Sequence, residues 1–412
     1  MSISDGIRLY SSLPRFEDAR TWAEIDLGAL RHNYRYLKEL VTSRASACSS
    51  KKPQTICVVK ADAYGHGACG CVPVFLDEGC RFFAVSSIEE AVEVRNICRN
   101  RGVKTDILIL GVTLPSLVKK LAEYDLITTL PSFEYAKKLA SAAKSAGVRV
   151  RCHIKLDTGM NRLGFPAFTD EDAEATAQKI KECSKQRALK IEGIFSHFAE
   201  ADDGVSPTPE GKTLLQAERF ASVLSRLEAL GVKVGMRHIC NSAAALRFPA
   251  LALDAVRLGI ALYGATPVGE LELSALRPVM SFKTKISHIH KLKAGETVSY
   301  GGQFKAENDR LLATLPVGYA DGFLRSYGGA EVCVHAENGD FNAPTVGRIC
   351  MDQCMIDISG RTASEGDEVS LFGDNKERLP AIAAKGQTIP YEVICGVSAR
   401  VIRIYKEDGN VL

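Results

Sequence analysis

Eight short apolar runs alternate with amphipathic segments between residues 56 and 258, and this alternation limits the fold more than any other feature of the sequence. The runs have the length of buried strands, whereas a segment such as Ile88–Asn100 repeats its apolar residues at helical spacing. Two further amphipathic segments, Phe133–Gly147 and Thr213–Gly231, finish on glycine, which is a common helix end. The apolar runs are Ile56–Lys60, Phe82–Ser86, Asp106–Leu110, Leu126–Thr129, Val150–Asp157, Ile191–Ser196, Arg237–Cys240 and Ala255–Leu258.

This order of segments is typical of α/β proteins with a parallel sheet. Two architectures share it, the (β/α)8 TIM-type barrel and the doubly wound open sheet. The number of runs and their total span favour the barrel, which typically needs about 250 residues. We therefore expect residues 21–268 to form a (β/α)8 barrel, with a further helix, Leu27–Leu40, ahead of its first strand.

The pattern changes after Pro267, where short alternating segments are separated by Gly, Asp and Asn. Such spacing predicts a β-strand-rich C-terminal domain over residues 269–412. We expect the N-terminal segment, residues 1–20, to pack on this domain. The predicted strands are Ser281–Leu292, Thr297–Tyr300, Leu311–Leu315, Val332–His335, Thr345–Cys350, Met355–Ile358 and Glu368–Phe372.

The charge balance argues against several classes of partner. The chain has 412 residues and a formal net charge of only +3, so neither nucleic acid nor a membrane surface is expected as a partner. The first twenty residues lack the apolar stretch of a secretory signal, and no apolar run is long enough to cross a bilayer. The 13 cysteines lack the paired spacing of zinc ligands. We therefore expect a cytoplasmic protein with reduced thiols and no metal site.

Polar side chains follow several apolar runs at the point where each run ends. Lys60 ends the first run, His197 follows the sixth and Ser242 follows the seventh. Lys155 lies near the end of the fifth run, and Arg257 lies near the end of the eighth. Functional groups of barrel enzymes lie at the carboxyl ends of the strands. These residues therefore predict one cationic pocket suited to a phosphorylated cofactor and a carboxylate substrate.

Lys60 is the most informative of these residues because it stands between a buried run and the glycine-rich turn Tyr64–Gly67. Desolvation lowers the pKa of a lysine, and the neutral amine is the form that reacts with carbonyl groups. A single lysine before a glycine turn is more often a surface residue. Its assignment to a cofactor site therefore depends on the other segments of the chain.

A series of short motifs runs in a constant order through both predicted domains. They are Val58–Gly67, Lys155–Gly164, Gly193–Phe198, Arg257–Gly264, Val298–Gly301, Val317–Gly322, Gly347–Gln353 and Thr388–Glu392. Together they resemble the motifs of the alanine racemases, a family of pyridoxal 5′-phosphate (PLP)-dependent, barrel-type amino-acid racemases. The resemblance implies interconversion of L-alanine and D-alanine with PLP as cofactor, in a homodimer with shared active sites. D-alanine supply for peptidoglycan precursors and alanine breakdown both stay open as the role of that reaction.

The resemblance also implies two acid/base residues. Lys60 would hold PLP covalently and act on one face of the substrate α-carbon, and Tyr300 of the partner subunit would act on the other. Removing a proton from one face and returning one to the opposite face requires two such groups. Lysine and tyrosine ordinarily have pKa values of about 10, so each must be lowered to act near neutrality. Arg162 and His197 are the expected sources of that lowering.

The remaining roles implied by the resemblance concern cofactor and substrate. Arg257 would meet the pyridine nitrogen of PLP, and Arg162 would face the substrate carboxylate together with the backbone amide of Met351 from the second subunit. Lys155 resembles a lysine that is carbamylated in many family members, and its anionic form would orient Arg162. The cofactor phosphate would be bound by Tyr64, Ser242, Tyr391 and the backbone N–H groups of Gly259 and Ile260. The substrate access channel would be lined by Tyr319, Arg348 and Asp352.

Three other functions stay open at this point. A serine racemase or one of broader specificity would share most of these residues, although the ring of Tyr391 favours a small substrate side chain. A PLP-dependent decarboxylase of basic amino acids would need an acidic residue at the ring nitrogen, which Arg257 argues against. A non-catalytic PLP-binding protein would need Lys60 and the phosphate-binding residues, but it would have no use for Tyr300.

Overall fold

The computed structural model describes residues 19–46, 52–202, 208–265 and 275–412. Residues 1–18 of the predicted N-terminal segment and the predicted boundary between residues 268 and 269 lie outside these ranges. Within them, every helix is either too short or too polar to span a bilayer.

In the described ranges, eight parallel strands form the predicted barrel wall. Neighbouring strands pair in chain order, and the eighth pairs with the first, which an open doubly wound sheet would not allow. Backbone bonds from Asp254 N to Arg237 O and from Arg257 N to Cys240 O, both 3.0 Å, join the eighth strand to the seventh. The strands are Gln54–Val58, Phe82–Val85, Asp106–Ile109, Ile127–Leu130, Val150–Asp157, Leu189–Phe195, Met236–His238 and Ala255–Leu258.

Among the described residues, helices follow the first seven barrel strands, and several begin at a side-chain cap. The hydroxyl of Ser132 accepts a hydrogen bond from Tyr135 N–H at 3.2 Å, and that of Thr169 accepts one from Asp172 N–H at 3.1 Å. These caps satisfy backbone N–H groups of the first turn and fix where each helix starts. The helices are Ala68–Asp77, Ile88–Asn100, Val118–Glu123, Phe133–Ser145, Asp170–Ser184, Gly211–Ala229 and Ser242–Arg247.

The helix that precedes the first strand takes the place of an eighth barrel helix. It spans Leu27–Ser46, and only the short 3-10 turn Ile260–Tyr263 follows the eighth strand. The buried side chain of Asn33 fixes this helix by donating to Leu262 O at 3.1 Å and to Arg277 O at 2.8 Å. The N-terminal helix therefore closes the outer ring beside the strand that carries Arg257.

The C-terminal domain contains a ten-stranded sheet over the described residues. Thr21–Asp26 lies inside this sheet, antiparallel to Met280–Lys285 and parallel to Ile402–Glu407. Ala23 and Ile25 are fully buried there, so apolar side chains hold this strand in the C-terminal domain although it starts the range expected for the barrel. In sheet order, the strands are His288–Leu292, Arg310–Leu315, Cys354–Asp357, Gly339–Val346, Glu331–Ala336, Glu368–Phe372, Met280–Lys285, Thr21–Asp26, Ile402–Glu407 and Asn410–Val411.

The predicted strand Thr297–Tyr300 is shorter than expected. It ends at Val298, because Ser299 has a φ of 60°, a left-handed angle that interrupts extended backbone. Tyr300 instead begins a short 3-10 turn, where its side chain is 70% exposed. Among the described residues, the remaining elements of this domain are the strand Phe304–Lys305, the 3-10 turn Arg325–Tyr327 and the helices Arg378–Lys385 and Pro390–Cys395.

Candidate active site

Lys60 begins a left-handed turn at the carboxyl end of the first barrel strand. Residues 61–64 all have left-handed backbone angles, with φ from 51° to 54°. This conformation costs about 1–2 kcal/mol for each residue other than glycine, so surrounding contacts must hold it. The side-chain carboxylate of Asp62 accepts a hydrogen bond from Ala68 N–H at 2.6 Å, and the backbone carbonyl of Asp62 accepts one from Gly67 N–H at 2.9 Å. The turn therefore sets Lys60 at the rim of the barrel in a fixed backbone geometry.

The Lys60 amine is shifted toward its neutral form. Burial lowers the pKa of Lys60, and the nearby Arg162 cation lowers it further. Cys395 and Glu90 partly oppose these effects. The nitrogen lies 5.9 Å from the centroid of the Tyr64 ring. A lowered pKa increases the fraction of nucleophilic amine at neutral pH, which is what covalent attachment of a carbonyl cofactor requires.

Arg257 is a buried cation held by backbone carbonyls and imidazoles. Its guanidinium donates to Ser196 O at 2.8 Å and to Ile239 O at 2.9 Å. It also contacts Nδ1 of His238 at 2.8 Å and Nδ1 of His197 at 3.2 Å. Because a guanidinium can only donate, both imidazole Nδ1 atoms must be unprotonated acceptors. Burial, followed by the charge of Arg257, holds the pKa of both histidines well below the ordinary value, which agrees with neutral rings.

Lys155 has a strongly perturbed environment. Its side chain is 3% exposed, and its nitrogen donates to Leu156 O at 2.7 Å. Burial lowers the pKa of Lys155 to about 7, and the charges of Arg257 and Arg162 contribute to the shift. The amine is therefore substantially neutral near physiological pH.

The loop that presents Arg162 is organised by Asp157. The Asp157 carboxylate accepts hydrogen bonds from the backbone N–H groups of Gly159 at 3.1 Å, Asn161 at 3.0 Å and Arg162 at 3.1 Å. Asn161 has a left-handed φ of 54°, which turns the chain just before Arg162. The carboxylate is thus used to fix the loop backbone, and Arg162 is held beside the strand end.

Positive charge accumulates around His197. After burial, the causes that lower the pKa of His197 are the charges of Arg257, Arg162, Lys155 and Lys60, in that order. The structure therefore brings these four basic side chains together around His197. A pocket with this charge favours anionic ligands such as a phosphate or a carboxylate.

Uncharged donors lie at the end of the eighth strand. Gly259 N–H donates to Ser242 Oγ at 2.9 Å, and a Cβ added at Gly259 would lie 2.5 Å from Tyr64 Oη. The rings of Tyr64 and Tyr391 lie 6.3 Å apart. Ile260 starts a 3-10 turn, so that turn provides no partner for its N–H. Hydroxyls and amides bind a phosphate group without adding charge, and here Gly259 N–H would exchange Ser242 Oγ for a phosphate oxygen.

Asn241, rather than Ser242, caps the helix Ser242–Arg247. Its side-chain oxygen accepts from Ala244 N–H at 2.9 Å. The hydroxyl of Ser242 is therefore not required as a helix cap, and it faces Gly259 instead.

Other predicted residues lie on a surface of the C-terminal domain. Tyr300 is 70% exposed, Met351 53% and Tyr319 37%, and the backbone of Tyr319 bonds to Cys350 in the segment that carries Met351. Among the described residues, no hydrogen bond, ion pair or ring contact joins Tyr300 to Lys60. Arg348 and Asp352 lie in the same segment as Met351, and Asp352 accepts from Arg400 at 2.7 Å.

Sequence reasoning missed two residues that support the Lys60 turn. The carboxylate of Glu90 accepts from Ala61 N–H at 2.7 Å, and Arg403 of the C-terminal domain donates to Gly65 O at 3.1 Å. Glu90 stands three residues after Ser87, in the spacing of a helix capping box, which is a signal that could have identified it. Arg403 has no comparable signal, because its contact depends on how the two domains pack.

Both domains of the chain match known families. Residues 25–267 match the family described as alanine racemase, N-terminal domain, and residues 279–405 match the family described as alanine racemase, C-terminal domain. Together these matches cover most of the chain, including every strand-end residue of the pocket.

Full-length relatives agree with the domain matches. Alanine racemase 1 of Clostridium acetobutylicum is 42% identical over 398 residues, covering 95% of this chain and 96% of its own length. The solved alanine racemase of Clostridium difficile 630 has a TM-score of 0.84 and 36% identity, covering 96% of this chain and 98% of that one. The alanine racemase of Bacillus anthracis with bound L-Ala-P has a TM-score of 0.81 and 32% identity, covering 95% of this chain and 96% of that one. The chain therefore belongs to the alanine racemase family.

Proposed function

We propose that this protein interconverts L-alanine and D-alanine with PLP as cofactor, as a homodimer that uses one acid/base residue from each subunit. The observation that carries the proposal is that the two predicted acid/base residues lie in different domains. Lys60 lies desolvated at the barrel rim, whereas Tyr300 lies exposed on the C-terminal domain. Relatives of nearly equal length that are named alanine racemases support alanine as the substrate.

The described residues fit both ends of the PLP molecule, the carbonyl group and the phosphate group. Lys60 offers an amine with a lowered pKa for covalent attachment. A phosphate site is offered by the hydroxyls of Tyr64, Ser242 and Tyr391 and by the backbone of Gly259 and Ile260. Gly259 lies so close to Tyr64 that there is no room for a side chain at this position. When bound, PLP withdraws electrons from the substrate α-carbon and so stabilises the carbanion that racemisation requires.

Two acid/base groups act from opposite faces in this proposal. Lys60 moves a proton at the α-carbon on one face, and burial together with Arg162 lowers its pKa in the direction that this role requires. Tyr300 of the partner subunit moves the proton on the other face. The exposure of Tyr300 and Met351 in the single chain supports a surface that a second subunit covers.

Arg257 controls the electronic state of the cofactor in this proposal. Its two terminal nitrogens are engaged by Ser196, Ile239, His197 and His238, so Nε–H is the donor that would meet the ring nitrogen of PLP. A permanent cation there disfavours protonation of the ring and weakens it as an electron sink. This limits side reactions such as transamination at some loss of rate. In Arg257→Glu the ratio of transamination to racemisation should rise, and an unchanged ratio would remove this role.

The substrate carboxylate binds between Arg162 and the backbone amide of Met351 from the second subunit. Lys155, carried as its carbamate, supplies the negative charge that orients Arg162. The half-buried ring of Tyr391 limits the space for a substrate side chain, which favours alanine over larger amino acids. Tyr319, Arg348 and Asp352 line the route by which substrate reaches the site.

The decisive experiment measures deuterium exchange at the α-carbon of L-alanine and D-alanine. Tyr300→Phe should abolish exchange for one enantiomer and keep it for the other, and Lys60→Ala should show the opposite selectivity. Tyr124→Phe, a tyrosine remote from the pocket motifs, controls for the loss of a phenol. Equal losses for both enantiomers in both variants would reject the two-base assignment.

The same protein preparation separates the alternative functions. An alanine racemase has a visible cofactor absorbance band that shifts on adding alanine, with loss of optical rotation from either enantiomer. A non-catalytic PLP carrier would show the band but no loss of rotation. Faster loss of rotation with serine than with alanine would assign the protein to the serine racemases instead.

A further inference from the structure

Three potential metal ligands converge on one hairpin of the C-terminal domain. The sulfur of Cys333, a ring nitrogen of His335 and a carboxylate oxygen of Asp340 lie within 4.8 Å of one another. Among the described residues, this is the only group of three histidine, cysteine or acidic side chains that lies so close together. The hairpin is distinct from the barrel pocket that contains Lys60.

The sheet register explains why the three side chains meet. His335 pairs directly with Asp340 across the hairpin, and Cys333 lies two residues before His335 on the same strand. Alternate residues of a strand point to the same face, and directly paired residues share that face. The convergence is therefore built into the hairpin, and sequence spacing of the zinc-finger type could not indicate it.

The three ligand types select the class of ion. Thiolate and imidazole are preferred by zinc, whereas magnesium and calcium prefer oxygen ligands only. Zinc bonds of about 2.0–2.3 Å place tetrahedral ligands roughly 3.5 Å apart. Nδ1 of His335 and the Asp340 carboxylate lie 2.9 Å apart, and all three ligand atoms lie within 4.8 Å of one another, so small side-chain rotations would give that spacing. A thiolate and a carboxylate also neutralise the two charges of the ion.

The surroundings support an ion that enters from solvent. Cys333 is 7% exposed, while the side chains of His335 and Asp340 are 28% and 63% exposed, so the group opens outward. Nε2 of His335 lies 2.8 Å from Ser370 Oγ, the kind of outer contact that fixes a metal-binding imidazole. Arg378, whose charge acts on Cys333, is paired with Asp374 through two hydrogen bonds of 2.7 and 2.8 Å.

We infer that Cys333, His335 and Asp340 form a binding site for one zinc-class divalent cation, with a water molecule as the fourth ligand. On binding, the thiol of Cys333 loses its proton to solvent. Nδ1 of His335 binds the ion without a proton, so a proton on that nitrogen leaves to solvent or moves to Nε2, which faces Ser370 Oγ. The site would cross-link the two strands of the hairpin close to its turn.

Cobalt and zinc ions test this site in the PLP-loaded protein after dialysis against a chelator. We expect one equivalent of Co²⁺ to give a sulfur-to-cobalt charge-transfer band, and zinc to displace it and raise the melting temperature. Cys333→Ala should lose the band. Asp340→Asn, a change at a mostly exposed position that leaves the hairpin folded, should weaken zinc binding at least tenfold. Cys69→Ser removes an exposed thiol outside the group and should leave the band intact.

Two outcomes would overturn the inference. One is the absence of a charge-transfer band at near-stoichiometric Co²⁺. The other is unchanged zinc affinity in Asp340→Asn, measured by competition with a fluorescent chelator, together with a band that persists in Cys333→Ala. Neither result bears on racemisation, so this site and the proposed activity stand or fall separately.

Discussion

The side-chain carboxylate of Glu90 accepts a hydrogen bond from the backbone N–H of Ala61, the residue that directly follows Lys60, at 2.7 Å. Its other oxygen accepts from the N–H of Ser86 at 2.7 Å and from the Ser86 hydroxyl at 2.8 Å. One carboxylate therefore links the end of the second barrel strand to the left-handed turn beyond the first. Glu90 thus positions Lys60 through the backbone of the turn.

Replacing Glu90 should impair the reaction through the position of Lys60. A partly exposed hydrogen bond of this kind contributes about 1 kcal/mol, so Glu90→Ala should lower kcat/KM about fivefold, mostly through kcat. Glu90→Gln keeps one acceptor oxygen and should lose less. Glu89→Gln removes a neighbouring exposed carboxylate and should have no effect. A loss confined to KM would show that Glu90 acts on substrate binding instead.

Lys155 should form a carbamate with dissolved carbon dioxide. CO₂ reacts only with a neutral amine, and a pKa of about 7 makes about nine-tenths of Lys155 neutral at pH 8. The carbamate signal from ¹³C-labelled bicarbonate in NMR should therefore grow as pH rises through 7 and should be absent in Lys155→Ala. Lys190→Ala, at an exposed lysine, serves as the control.

The activity of Lys155→Ala tests what the carbamate does. If it only supplies a negative charge beside Arg162, chloride or a small carboxylate should restore part of the lost activity. Failure of both anions to do so would require a more specific role for Lys155.

Mixed dimers should reveal whether the acid/base residues come from different subunits. Lys60→Ala and Tyr300→Phe are each expected to be inactive in racemisation. When two tagged chains are co-expressed in equal amounts, half of the dimers are mixed, and each mixed dimer contains one intact site. Activity should therefore return to about one quarter of the wild-type value. If both residues of a site belong to one subunit, the mixture stays inactive.

A methyl group at Gly259 should weaken cofactor binding. The added Cβ would lie 2.5 Å from Tyr64 Oη, so the Tyr64 hydroxyl or the backbone must move away from the proposed phosphate site. We expect Gly259→Ala to release PLP at least tenfold more readily, measured by equilibrium dialysis and absorbance. Gly328→Ala is the control, since its Cβ would be no closer than 3.4 Å to any atom. Equal PLP affinity in both variants would contradict this placement of the phosphate.

Local pattern was sufficient to predict much of the barrel. The helix Ile88–Asn100 and the strands Val150–Asp157 and Ala255–Leu258 have the limits that the sequence indicates, because strand and helix periodicity are properties of neighbouring residues. The pattern did not show where two strands break. Ser281–Leu292 is two strands, and Ser299 ends the strand before Tyr300.

The sequence by itself determined that this chain alternates strands and helices, and it set Lys60, Lys155 and Arg257 at strand ends. Only the tertiary structure decided what those ends meet. Barrel closure brings Arg257 against His238, and the carboxylate of Glu90 reaches Ala61. Pairing between segments likewise decides where the strand Thr21–Asp26 lies and why His335 stands opposite Asp340. Such contacts arise from sheet register and domain packing, which one-dimensional periodicity does not encode.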